Sequence, residues 1–268
     1  MSATAGLGDL AGAGLELSIS GQVATVTLIR PERRNAMTPG MWHGLARIGA
    51  GLPDDIRVVV VRGAGPSFCA GIDLRTFSPQ GVPGEEPGPS PADPEFEAAI
   101  AGYQAGFTWL RDPSIVSIAA VQGHAIGAGF QLALACDLRV LADDASFCMK
   151  EPALGLVPDL TGTKPLVEIV GLPRAIEICL TARTVAATEA ADLRLAELVV
   201  PRTELDGAVE DLVAALLSTN TAAARATKAL LAQAVASTLD QQAAAERAAQ
   251  APLVAALMRA AAAAQNPV

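Results

Sequence analysis

Gly123-His124-Ala125-Ile126-Gly127-Ala128-Gly129-Phe130-Gln131-Leu132 holds three glycines and two alanines in ten residues. The run before it, Ile115–Gln122, is short, apolar and of strand composition. The run from Gly127 to Cys136 is apolar with small residues and no Pro, which reads as a helix, and Leu138–Ala142 reads as strand again. Strand, Gly-rich turn, helix, strand is the grammar of a βαβ-type unit on a buried sheet. A helix that opens at such a turn presents unpaired N–H groups and a partial positive charge, which suits a developing oxyanion. Taken alone, a Gly-rich turn into a helix is more often a packing device than a site.

The same rhythm continues upstream. Leu15–Ser20 and Gln22–Ile29 are β-rich runs meeting at Gly21, which predicts a hairpin. Thr38-Pro39 has the form of a helix start, with Thr as N-cap and Pro at the first helical position, and this helix is expected to reach about Gly51. Arg57–Arg62 contains four consecutive valines, the pattern of a strand buried on both faces. Tyr103–Arg111 reads as the end of another helix. The fold class is therefore α/β. Past about Pro201 the chain turns Ala-rich and helical, with breaks expected near Ser218–Asn220, Ser237–Asp240 and Pro252. The expected organisation is a flexible leader over 1–14, an α/β core over 15–200 and a helical region over 201–268 whose Ala-rich faces suit subunit contacts. Ser78–Pro94, dense in Pro and Gly and carrying Glu85 and Glu86, belongs on the surface, either as a plain loop or as a lid over a ligand pocket.

Composition narrows the classes of function. The 268 residues carry a net charge of −9 and are 51% hydrophobic, enough for a large core. The acidic balance argues against nucleic acid and anionic membranes as partners. It leaves room for a phosphate-bearing ligand, which needs only local basic groups or helix N-termini. No apolar stretch approaches the ~20 residues of a membrane span, and Met1–Gly14 lacks a cationic start followed by an apolar block. A cytoplasmic location is expected, with Cys69, Cys136, Cys148 and Cys179 as reduced, mostly buried thiols. With two histidines and no CxxC pair, no metal site is expected.

A second ligand loop follows the valine strand: Ser67-Phe68-Cys69-Ala70-Gly71-Ile72-Asp73-Leu74. Its small residues, Ala70 and Gly71, let a ligand approach the backbone. A dinucleotide fingerprint does not fit, because Gly63-Ala64-Gly65 has Phe68 where a third glycine is needed. Further on, Phe147-Cys148-Met149-Lys150-Glu151-Pro152-Ala153-Leu154-Gly155-Leu156-Val157-Pro158-Asp159 places two carboxylates eight residues apart around an apolar loop. A carboxyl against an apolar pocket titrates above its usual range and can exchange protons near neutrality. The plainer reading of Glu151 is a solvent-facing acid beside Lys150. His124 fits a hydrogen-bonded structural role better than that of a base. A serine hydrolase is excluded by the lack of Gly-x-Ser-x-Gly. Arg30, Arg34 and Arg75 flank the two loops, as phosphate partners or as ordinary surface arginines.

The two loops, Arg30-Pro31-Glu32-Arg33-Arg34-Asn35-Ala36-Met37 and the Glu151–Gly162 segment occur in order and at compatible spacing. Over about residues 15 to 200 the chain resembles the enoyl-CoA hydratase/isomerase (crotonase) superfamily. The resemblance implies a crotonase-like ββα spiral core with a helical C-terminal region. It implies backbone N–H groups of Ile72 and Ala128 as the oxyanion hole for a thioester carbonyl, and Ala70 beside the adenine of coenzyme A. In hydratases of the family the positions of Gln131 and Glu151 are both glutamates that handle the added water. In dienoyl-CoA isomerases they are Asp and Glu, joined by an Asp at the position of Asp159. The candidate catalytic residues are thus Glu151, Asp159 and Gln131, the last an amide that cannot exchange a proton at physiological pH. Implied partners are an acyl-CoA thioester, with coenzyme A entering as part of the substrate rather than as a resident cofactor, and further copies of the chain in a homotrimer or hexamer. The family's C-terminal segment brings Lys and Phe to a neighbour's CoA, whereas Leu253–Ala264 offers only Arg259. Double-bond isomerisation of a dienoyl-CoA is slightly favoured over hydration of an enoyl-CoA in fatty-acid metabolism, and a non-catalytic acyl-CoA binder is the alternative.

Overall fold

The computed structural model of the chain describes residues 7–85 and 88–265. Its main sheet is built from the runs expected of it and one more, Leu198–Val200, which was not expected from the sequence. β1 (Leu15–Ser20) and β2 (Val23–Leu28) form an antiparallel hairpin across Gly21, whose φ of 55° is the left-handed turn geometry glycine allows. β3 (Val58–Gly63) pairs parallel to β2, and β4 (Val116–Val121) pairs parallel to β3. β6 (Leu138–Ala142) and β9 (Leu198–Val200) complete six strands in the order β1-β2-β3-β4-β6-β9. Val59 and Val61 on one face of β3 are fully buried, and Val58 and Val60 on the other are nearly so. That is why the run is continuous rather than alternating.

A smaller sheet was not legible beforehand. It consists of β5 (His124–Ile126), β7 (Ser146–Cys148) and β8 (Val185–Ala186), each too short to leave a periodic signal. It matters because β5 runs into α3 (Ala128–Ala135), and the two edges it joins carry the chemistry discussed below.

Helix α1 (Pro39–Gly51) starts as read: Thr38 is extended and its hydroxyl accepts from the Met41 N–H at 3.3 Å. α1 packs closely on α2 (Phe96–Thr108). A side chain at Gly106 would stand 2.4 Å from the Trp42 carbonyl, and the Trp42 and Tyr103 rings lie 4.9 Å apart. Between these helices the Pro/Gly-rich segment is tethered: Val82 is buried, and the Glu85 carboxylate accepts from the Gly40 N–H at 3.2 Å in the first turn of α1. An acid is favoured there by the helix dipole. Glu86 lies outside the described residues.

Two expectations change. The leader is packed chain from Leu7 onward: Leu7 is buried, its carbonyl accepts from Arg47 of α1 at 3.0 Å, and Gly14 closes a turn into β1. Residues 1–6 lie outside the described residues. Pro252 does not break a helix, because α9 (Leu239–Gln265) continues through it. Proline there deletes one backbone donor, and the flanking alanines hold the helical path.

The chain divides into two compact units, one through Val213 and one from Ala214. The first also contains α4 (Thr163–Val170), α5 (Leu172–Thr181) and α6 (Ala187–Asp192). α7 (Leu205–Leu217) crosses the division, and the second unit pairs α8 (Thr221–Ala234) with α9. No helix of the described residues is long and apolar enough to cross a membrane.

Candidate active site

The two Gly-rich loops come together. The Cys69 N–H donates to the His124 carbonyl at 2.8 Å, and the Ile126 N–H donates back to the Cys69 carbonyl at 2.9 Å. Gly71 has φ of 96°, and a side chain on it would stand 2.8 Å from the Ile126 carbonyl and 3.9 Å from the Ala128 nitrogen. On its other side the loop is braced by Met37, whose N–H donates to Gly71 and whose carbonyl accepts from Asp73, each at 2.7 Å. Asn35, fully buried, ties this brace to the turn after β3 by donating to the carbonyls of Ala64 and Ser67 at 2.9 Å. Gly71, the residue before Ile72, thus lies against the start of α3. Ala128 is the first residue of that helix, with no side chain capping it. Among the described residues no protein acceptor takes the N–H of either Ile72 or Ala128. The Ala128 methyl sits on helical backbone, so it imposes no strain where glycine would otherwise be needed.

The residue before Ala128 touches the acid. A side chain on Gly127, whose φ is 52°, would stand 3.1 Å from Glu151 Oε1 and 3.5 Å from Oε2. Glu151 is buried at 9% exposure, which sets aside the reading of a solvent-facing acid. Its Oε1 accepts from Gln131 Nε2 at 2.7 Å, whereas Oε2 is buried without a hydrogen-bond partner. Burial pushes the Glu151 carboxyl above its ordinary range. Its own backbone N–H and Gln131 pull the other way, and the nearby charge of Asp159 adds to the rise. Asp159 is exposed as a residue, yet partial loss of water around its carboxyl raises it as well. Neither acid is paired with a cation among the described residues.

Gln131 is fully buried in α3. Its Oε1 accepts from the N–H groups of Leu160 at 2.9 Å and Gly162 at 3.2 Å. The orientation of the amide is fixed by chemistry: turning it over would set N–H against N–H and oxygen against carboxylate.

The arginines divide. Arg30 and Arg75 converge on the buried carboxylate of Asp73, at 2.9 Å and 2.6 Å, and Arg30 also donates to the Ala36 carbonyl. Arg75 first and then Arg30, against burial, hold Asp73 well below the usual carboxylate range. The structure therefore gives both a protein partner that sequence spacing did not show, and the trio keeps one net positive charge beside the Ile72 loop. Arg34, in left-handed backbone with φ of 50°, is exposed, and its carbonyl accepts from the N–H of Ala70 at 2.9 Å. His124 is exposed, with Nδ1 3.2 Å from the buried Ser67 hydroxyl. The four cysteines are unpaired thiols; burial pushes Cys69 and Cys136 up to about 12, so neither is a nucleophile near neutrality.

Comparison with known proteins decides the family. The model of the enoyl-CoA hydratase/isomerase family matches residues 18–259. The chain belongs to the enoyl-CoA hydratase/isomerase family. A solved relative is a proposed enoyl-CoA hydratase of Thermobifida fusca YX in complex with CoA, 60% identical with a TM-score of 0.89, covering 93% of this chain and 96% of that one. The same protein in complex with acetoacetyl-CoA gives 59% identity and a TM-score of 0.86, covering 92% and 96%. The peroxisomal Delta(3,5)-Delta(2,4)-dienoyl-CoA isomerase of Arabidopsis thaliana is 34% identical over 208 residues, 75% of this chain and 74% of that protein. As a member of the enoyl-CoA hydratase/isomerase family the chain is an acyl-CoA enzyme with the spiral α/β core and helical C-terminal region that the motifs implied. Family names alone do not separate hydratase from isomerase, so the reaction has to be argued from the site.

Proposed function

We propose that this enzyme shifts a double bond of an enoyl- or dienoyl-CoA by proton transfer, with a 3,5-dienoyl-CoA as the fitting substrate. The carrying observation is Glu151: a buried carboxylate with one unpartnered oxygen, against the residue that precedes a free helix N-terminal amide. In this reading the thioester carbonyl accepts from the Ile72 and Ala128 N–H groups. Glu151 takes the α-proton, and the electron pair moves into the carbonyl to give a conjugated enolate that the two amides stabilise. Asp159, in its protonated form, returns one farther along the acyl chain. Exchange with solvent resets the two acids. A buried base with an open oxygen favours this over a non-catalytic acyl-CoA binder, which has no use for it. Ala70 beside the adenine, and Arg34 with the net positive charge of Arg30 and Arg75, would hold the CoA portion. A homotrimer or hexamer in the cytoplasm belongs to the same proposal.

Hydration is the second reading, favoured by the hydratase description of the relative from Thermobifida fusca YX. Against it stands Gln131, an amide where hydratases have a second glutamate. The test is to follow isomerisation of a 3,5-dienoyl-CoA and hydration of a 2-enoyl-CoA in the wild type, Glu151→Gln and Asp159→Asn, each confirmed to fold and bind a CoA thioester. Loss of either acid should cost roughly 10²–10⁴-fold in isomerisation. Full activity in Asp159→Asn would reduce the mechanism to one acid, and hydration without isomerisation in the wild type would replace it.

A further inference from the structure

The Gln131 side chain makes three hydrogen bonds among the described residues, and all three go to the two segments that carry the acids. Nε2 donates to Glu151 Oε1, and Oε1 takes the N–H groups of Leu160 and Gly162, which follow Asp159 directly in the chain. The residue between those two amides, Thr161, has φ of 69°, a left-handed conformation that a β-branched residue rarely adopts. Gly162 is shaped around the same amide: a side chain there would stand 2.6 Å from Gln131 Cγ and 3.1 Å from Oε1. The strained turn is therefore held on both sides by one buried oxygen. Gln104 of α2 braces it from outside by donating to the Asp159 carbonyl at 2.7 Å.

We propose that Gln131 is a positioning residue that sets both acids at once, its N–H fixing which Glu151 oxygen stays open and its carbonyl oxygen locking the strained 159–162 turn that carries Asp159. This rests on the proposed roles of Glu151 and Asp159 and deepens them. Both lone pairs of the Gln131 side-chain oxygen and one of its two amide hydrogens are engaged inside the protein. The two arms are chemically separable. In Gln131→Glu a carboxylate still accepts from Leu160 and Gly162 but faces Glu151 with a second negative charge, so the pair must share a proton. In Gln131→Met both arms are gone while the volume is nearly kept.

The experiment uses two readouts that need no turnover. The Glu151 carboxyl is titrated by infrared difference spectroscopy in each variant, with Glu151→Gln as the blank. Amide exchange of the 159–162 segment is followed by mass spectrometry. Gln131→Glu should move the carboxyl titration at that site to higher pH by at least about one unit while the segment keeps its protection. Gln131→Met should move the titration upward and speed amide exchange of the segment at least ~10-fold. A wild-type titration in folded Gln131→Glu overturns the first arm, and wild-type protection in folded Gln131→Met overturns the second. If Gln131→Met does not fold, Gly162→Ala, which pushes on the Oε1 arm, takes its place with the same expected loss of protection. If the variants show these shifts while the wild type does not isomerise dienoyl-CoA, the positioning role stands and the proposed reaction is removed instead.

Discussion

Glu151 is costly to the fold in its charged form. Its folded carboxyl titrates above the unfolded one because burial removes water from it. The stability from that group is therefore complete below the unfolded value and is lost as pH rises through the folded one. Glu151→Gln should accordingly raise Tm at neutral pH, with the gain over wild type shrinking as pH falls through the raised folded value and gone below the usual glutamate range. Thermal unfolding at a series of pH values checks this, and a variant less stable than wild type at neutral pH would contradict it. Such a trade of stability for a poised base is what a functional site leads one to expect. At this scale the sequence was informative where chemistry is local. Thr38 caps the helix it precedes, and Ile72 and Ala128 lie in loops that do meet. It was silent where the partner is far along the chain. Nothing near Asp73 in sequence announces that it gathers Arg30 from 43 residues away. Nothing near Gln131 announces the amides at 160 and 162.

At the scale of elements, the site depends on how closely two loops approach. A side chain on Gly129 would stand 2.4 Å from the Cys69 carbonyl oxygen and 2.9 Å from its sulfur. Gly129 is helical, so its backbone tolerates alanine and only the space forbids it. Gly129→Ala should push α3 away from the Ile72 loop, destabilising the fold by roughly 1–3 kcal/mol as overpacked cores do. It should also cut turnover by more than it weakens CoA-thioester binding, because it would pull apart the proposed Ile72 and Ala128 amide pair. Denaturant unfolding together with separate kcat and KM measurements checks both parts, and an unchanged kcat would show that the approach of the loops is irrelevant to turnover. The long elements were readable because four valines, a Thr-Pro cap and an Ala-rich run each have one structural solution. The small sheet was not, since two- and three-residue strands are set by pairing partners and leave no period of their own. Pro252 misled for the opposite reason: a strong local signal was outweighed by the helix on both sides of it.

At the scale of the whole molecule, the architecture brings together three segments spread along the chain between residues 69 and 162: the 69–73 loop, the start of α3 and the 151–162 segment. The parallel order β3-β4-β6 puts the turns after successive strands at the same end of the sheet. The small sheet then joins the start of α3 to the strand that leads into Glu151, through the Gly127 N–H donating to the Cys148 carbonyl at 2.8 Å. The fold thus sets a buried acid beside the start of α3, and the proposed amide pair there, more than the family name, is what the account rests on. Enolisation can be read without knowing the true acyl chain, as solvent deuterium entering the α-position of a simple saturated acyl-CoA in D₂O. The account predicts exchange catalysed by the wild type and reduced at least ~10²-fold in Glu151→Gln with thioester binding retained. Exchange in Glu151→Gln at the wild-type rate, with binding intact, would contradict it.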